Sequence, residues 1–323
     1  MSAHAENAPA TTPAPAPPPA APPPPEPVTW LNKGERGALL GIRAGFFVAT
    51  VFGRFPARVL VRFIALWYRL FDRKAVRASR AWLERVTGEK PGFWAVYRHI
   101  LRFAQVTLDR IFLLKGKVRS LRFTRTGHEN LERQLQTGRG AILLGAHLGS
   151  YEAMRYGGFS TNVPINILGY FANAKMVNAL FEKLSPESAA RVVHIGDDPV
   201  GVMVRVKERV AAGELVAVMG DRVGLSERVV KAEFFGEEAP FAAGPFLMAA
   251  VLKCPVYLVF GIYSEPNRYD LYCETFAESV ILPRSSREEA LKALVQRYAD
   301  RLADHARKAP DNWFNFFDFW SSP

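Results

Sequence analysis

Gly140-Ala-Ile-Leu-Leu-Gly-Ala-His147-Leu-Gly-Ser-Tyr-Glu152 reads as a buried strand that stops at a titratable residue. The apolar run over 141–146 is short and bounded by glycine, which fits a strand covered on both faces. On one continuous helix, positions five apart sit about 140° from each other, so His147 and Glu152 would not meet. A turn between them is needed. Gly149 permits it, and Ser150 is a natural N-cap that puts Glu152 in the first helical turn, where the dipole favours a carboxylate. The expected arrangement has Glu152 on one imidazole nitrogen of His147 and the other nitrogen open to take a proton. A histidine that only hydrogen-bonds locally at a strand end is the plainer reading of the same residues.

Working outward, the texture from about residue 120 alternates short apolar runs with helical patterns. Residues 141–146, 165–170, 192–195, 215–219 and 255–262 read as strands, and 268–276 as an edge strand. Helices are expected near 151–158, 173–184, 199–212 and 244–252, with a long amphipathic helix over 286–308. This alternation predicts an α/β layered domain with a central, mostly parallel sheet flanked by helices. Sites in such folds collect outside the carboxyl ends of strands. Two of those ends carry titratable groups, His147 and the Asp221-Arg222 pair. Asp221 could position a substrate or shape the His147 site, and Arg222 could hold an anion; a turn or ion pair is the plainer alternative. Lys231-Ala-Glu-Phe-Phe-Gly236 and Phe241-Ala-Ala-Gly244-Pro245 form a third feature. Gly244-Pro245 opens an apolar helix whose first N–H groups could hold an oxyanion, or simply be capped.

The charge is localised. The net charge of +11 arises in residues 33–125, where 21 Lys/Arg face 5 acids. On a helical wheel Arg54, Arg58, Arg62, Arg69 and Arg73 share one sector. Val59, Phe63, Trp67, Leu70 and Phe71 lie opposite. The expectation is a basic amphipathic helix lying in an anionic lipid surface, with Arg54, Arg58, Arg62, Trp67 and Arg69 as membrane contacts. An ordinary core-packed helix with solvated arginines is the alternative. The apolar stretch 37–53 is short for a span. Residues 1–28 hold 11 of the 23 prolines and read as a disordered tail. The chain thus divides into that tail, a helical membrane-associating segment over 29–120, and an α/β domain over 121–323 packed with it. Two cysteines in unlike contexts imply neither a disulfide framework nor a metal site. No secretory signal, P-loop, dinucleotide fingerprint, nucleophile elbow or nucleic-acid motif is present.

His147-Leu-Gly-Ser-Tyr-Glu152, Met-Gly-Asp221-Arg222 and Phe-Phe-Gly236 through Phe-Ala-Ala-Gly-Pro245 occur in an order that resembles the bacterial lipid A biosynthesis (lauroyl/myristoyl) acyltransferase family, part of the lysophospholipid acyltransferase superfamily. The resemblance covers roughly residues 35–320. It implies a monotopic enzyme on the cytoplasmic face of the inner membrane, with His147 and Glu152 as the catalytic dyad. Acyl-carrier protein or acyl-CoA would be the co-substrate, and no cofactor or metal is expected. Anionic lipids, acyl carrier protein and a lipid or glycolipid acceptor are the implied partners, with Asp221, Arg222, Lys231, Gly236, Gly244 and Asn173 on the substrate side. The stretch around Asn173 lacks the arginine usual in the family, which puts a phosphorylated saccharolipid acceptor in doubt. The C-terminal Asn312-Trp-Phe-Asn-Phe-Phe-Asp318-Phe-Trp320 is similar to a divergent branch, and its aromatics read as a clasp on the core or membrane, otherwise as an acyl-chain wall. A non-catalytic lipid- or carrier-binding scaffold and a hydrolase using the same dyad are the rival readings.

Overall fold

The computed structural model describes residues 38–157, 163–169, 191–195, 198–224 and 228–321. The proline-rich tail, the expected helix near 173–184 and Asn173 lie outside the described residues. Four helices come first: α1 (Ala38–Val51), α2 (Arg54–Phe71), α3 (Arg73–Thr87) and α4 (Phe93–Leu114). Their boundaries follow local chemistry. Asp72 caps α3, its side chain accepting the Lys74 and Ala75 N–H groups, and Gly88 ends the helix in the left-handed region.

The sheet follows. Its strands are β1 (Arg122–Thr126), β2 (Ala141–Gly145), β3 (Ile165–Gly169), β4 (Val192–His194), β5 (Leu215–Met219), β8 (Val256–Ser264) and β9 (Arg268–Ala277). Their order is β1-β9-β8-β2-β5-β3-β4, and every pairing is parallel except β8 with β9. Between the strands lie α5 (Glu129–Gln136), α6 (Tyr151–Gly157), α7 (Pro199–Ala211) and α8 (Gly244–Leu252), and α9 (Arg287–Lys308) comes last. A separate antiparallel ribbon pairs β6 (Val229–Phe234) with β7 (Glu237–Ala242). The α/β class is as expected. Strand β9 is not an edge, however, because β1 pairs along its outer side. Strand β1 was missed because its Arg-Phe-Thr-Arg-Thr carries one apolar side chain and is mostly exposed.

The β2 strand is wholly buried in the middle of the sheet. One face of the sheet uses Ile142, Leu144, Val216 and Val218, packed with α9 through Tyr298 and Leu302. The same apolar cluster reaches Ala57, Val61 and Trp82 of the first helices, so helices and sheet share a core. The opposite face uses Leu143, Ala217 and Val259 with Val106 of α4 and Met154 of α6.

Helix α2 corrects an expectation. Its arginine sector faces the protein and its aromatic sector faces out. Arg58 and Arg69 are buried, whereas Phe55, Phe63, Trp67 and Phe71 are exposed. Arg54 makes paired bonds to Asp109 through Nε and Nη2, each 2.8 Å. Arg58 donates to the Tyr263 hydroxyl at 2.6 Å and to Glu265 at 3.1 Å. Arg62, half exposed, also reaches Glu265, and Arg69 stacks on Phe93. Arg54, Arg58 and Arg62 are drawn inward by acids on α4 and the β8–β9 turn, and Ala57, Val61 and Ala65 leave room for their stems. Among the described residues no helix is long and apolar enough to cross a membrane.

Candidate active site

Strands β2 and β5 are parallel neighbours in register, with Gly145 opposite Met219. His147 and Asp221 each follow two residues later, so equal offsets carry both past the carboxyl ends side by side. The His147 backbone N–H donates to Asp221 Oδ2 at 2.9 Å, and its Nδ1–H donates to Oδ1 at 2.8 Å. An ionised carboxylate only accepts, which fixes the proton on Nδ1 and leaves the Nε2 lone pair open. Nε2 makes no hydrogen bond among the described residues. The ring is 30% exposed while Asp221 is fully buried.

The turn that aims His147 is built as expected. Gly149 has φ 77°, and a Cβ there would stand 2.0 Å from the Gly261 carbonyl oxygen. Ser150 Oγ accepts the Ala153 N–H and caps α6. The outcome of that turn differs from the expectation: Glu152 does not bond to His147. It pairs instead with Arg110 of α4 at 2.5 Å. Starting α6 directly after the turn swings Glu152 toward α4, and Asp221 from the adjacent strand takes the imidazole nitrogen assigned to it.

The electrostatics suit a base that rests neutral. Burial lowers the His147 pKa, and Arg222 and Arg110 lower it further against the pull of Asp221. For Asp221, burial pushes upward, but the charge and hydrogen bonds of His147, together with Arg222, hold it at about 2. Burial also lowers Arg222 to about 10, partly offset by Asp221. Arg222 donates to Asn315 Oδ1 at 2.8 Å and to the Phe314 carbonyl at 3.0 Å.

Sequence reading missed the polar function of the C-terminal segment. Trp313 Nε1–H donates to Asp221 Oδ2 at 2.8 Å, and the Asn315 amide does so at 3.4 Å. The Phe314 N–H donates to the His147 carbonyl, and the Gly149 N–H to that of Asn312. The asparagines flanking Trp313 and Phe314 were the available signal. The aromatic clasp is nevertheless present, with Trp313 packed on Trp82, Phe234 and Phe319.

The other expected residues are not drawn to the imidazole. Lys231 lies exposed on the β6–β7 ribbon, 3.8 Å from Glu238. Gly236 forms the ribbon's turn, and Gly244 starts α8. A small apolar cavity of about 20 Å³ lies under the strand ends, lined by Gly145, Tyr151, Ile167 and Met219 among others. It has room for a water-sized group, not for an acyl chain.

An imidazole with one nitrogen on a buried carboxylate and the other open, at the carboxyl ends of parallel strands, is an arrangement that can accept a proton. The sequence model described as bacterial lipid A biosynthesis acyltransferase matches residues 35–322, and the chain belongs to that family. Family membership supports acyltransferase activity of the lipid A type. No curated protein matches the chain.

Proposed function

We propose that the protein moves a fatty acyl group from an acyl thioester, on acyl carrier protein or coenzyme A, to a hydroxyl or amine of a lipid or glycolipid acceptor. The observation that carries this reading is the open Nε2 of His147 beside a fixed Nδ1–H. His147 Nε2 takes the acceptor proton as the acceptor oxygen or nitrogen attacks the thioester carbonyl. The tetrahedral intermediate then expels the thiolate, and the imidazolium returns the proton to sulfur. Asp221 stabilises the imidazolium, the part first given to Glu152. Arg222 and Arg110 lie close enough to act on His147 and suit an anionic group on either substrate. Direct transfer is favoured because no serine, threonine or cysteine side chain bonds to His147 among the described residues.

The test is acyl transfer in inner-membrane vesicles supplied with dodecanoyl-acyl carrier protein or dodecanoyl-CoA. His147→Ala should lower the rate by about 10²–10⁴-fold. Undiminished transfer would overturn the mechanism, and release of free fatty acid without acceptor would favour a hydrolase.

We also infer association with the cytoplasmic face of the inner membrane, through apolar insertion rather than arginine contact. Phe55, Phe63, Trp67, Leu70 and Phe71 form an outward apolar face on α2, continued by Phe47 and Phe52. Replacing Phe63 and Trp67 with serine should weaken sedimentation with phosphatidylglycerol-containing vesicles several-fold. Arg58→Glu should destabilise the fold instead. Unchanged sedimentation of the double variant would sink this inference.

A further inference from the structure

Asp221 is a carboxylate with no water-exposed surface, so its charge must be met by donors. The two oxygens are supplied unequally. Oδ2 accepts the His147 backbone N–H at 2.9 Å, the Trp313 indole N–H at 2.8 Å and the Asn315 amide at 3.4 Å. Oδ1 bonds to the His147 ring alone, at 2.8 Å. We propose that Trp313 is a positioning residue for the base: its indole N–H, backed by Asn315, locks the Asp221 carboxylate so that Oδ1 faces the imidazole.

Trp313 is itself held from several sides. Its ring lies 4.4 Å from that of Trp82 and is almost wholly buried. Its carbonyl accepts the Nε2–H of His99, whose Nδ1 accepts the Ser79 hydroxyl proton. His99 is buried, and burial lowers its pKa to about 4, so it stays a neutral donor. The neighbours of Trp313 bond to the backbone of His147 and Gly149, and Leu148 bridges to Trp313. Core packing alone would not require an indole N–H aimed at a buried carboxylate oxygen. Helices α3 and α4, through Trp82, Ser79 and His99, thereby brace the base.

This inference rests on the reading of His147 as the base. The charged groups acting on His147 are Asp221 and Arg222 after β5 and Arg110 of α4, the last paired with Glu152 of α6; the Tyr298 hydroxyl of α9 acts on Asp221. Removing the indole donor makes the carboxylate more basic, so the imidazolium is held more tightly and His147 protonates at higher pH.

The experiment uses the full chain in detergent micelles. Neutral imidazole reacts with diethylpyrocarbonate, and mass spectrometry of the His147 peptide against pH gives its midpoint without any acyl transfer. Trp313→Phe keeps the aromatic packing and should raise that midpoint by about half a pH unit, the size set by one lost hydrogen bond, and slow dodecanoyl transfer about fivefold. Trp94→Phe, at a ring that lies exposed on α4, should leave the midpoint in place. A folded Trp313→Phe with an unmoved midpoint overturns the proposal. Should that variant not fold, the Trp313 indole N–H resonance of the wild type, assigned through Phe replacements of the other tryptophans, must titrate with His147; a pH-independent resonance overturns it equally. Full transfer by His147→Ala with a shifted midpoint in Trp313→Phe would remove the catalytic reading and keep the positioning. Loss of transfer in His147→Ala with no shift in Trp313→Phe would do the reverse.

Discussion

Two histidine–carboxylate pairs among the described residues, His147–Asp221 and His305–Glu274, have opposite burial. In His147–Asp221 the ring is 30% exposed and the carboxylate fully buried. In His305–Glu274 the ring side chain is 2% exposed and the carboxylate 29%. His305 Nε2–H donates to Glu274 at 2.6 Å, and its ring is wedged between Phe260 and Tyr272. Glu274 is shared with Arg301, which binds both its oxygens. An exposed ring on a sealed carboxylate keeps a proton acceptor available to a substrate. A sealed ring on a shared carboxylate ties α9 to β9 and offers nothing to a reacting group. Composition does not separate the pairs; which partner faces out does.

Removing the carboxylate from each pair should break that equivalence most sharply. Asp221→Asn can donate to Nδ1, which selects the wrong tautomer and leaves the imidazolium unsupported. An acyl-transfer loss of about 10²–10⁴-fold with modest change in melting is expected. Glu274→Gln should reverse the pattern, costing about 1–3 kcal/mol of stability by thermal melting while leaving the rate per folded molecule unchanged. The hydrogen bonds of His305 and Arg301 depress the Glu274 pKa to about 2 despite burial. Its stabilising effect is therefore present above the ordinary value of 4.5 and lost as pH falls from there toward 2. A Glu274→Gln protein that melts normally at neutral pH would show that the second pair is not structural.

How far the sequence could carry this distinction depends on range. The strand–His147–turn–helix was legible because every cue was local: an apolar run, a glycine with positive φ and a serine cap. The partner of His147 was not, because Asp221 is 74 positions away and meets it only through the β2–β5 register. The equal two-residue offset past each strand was a cue, but it acts only once those strands are known to be neighbours. Helix α2 failed for the same reason. Periodicity separates its two faces but cannot say which is inward, and the acids that claim its arginines, Asp109 and Glu265, lie on α4 and beyond β8. Trp313 combined both difficulties, since an aromatic-rich segment reads as packing until its N–H is seen to meet a charge.

Glu152 gives the smaller and more discriminating test, because it is the carboxylate that spacing alone would put on His147. Paired with Arg110, it acts on the base only by neutralising a nearby cation. The wild-type acid limb of the pH–rate profile should fall below pH 6.5, since burial, Arg222 and Arg110 all favour the neutral ring over the imidazolium. Glu152→Gln removes the negative charge that offsets Arg110 near His147, which disfavours the imidazolium further. The limb should therefore move to lower pH, and the plateau rate should fall by about tenfold or less, well short of the loss from the removal of a general base's partner. Asp221→Asn also withdraws a negative charge, but from direct contact, so its plateau should collapse. If Glu152→Gln loses as much rate as Asp221→Asn and its limb moves upward, Glu152 reaches the imidazole during turnover, and the contrast between an exposed ring and its single sealed partner no longer holds.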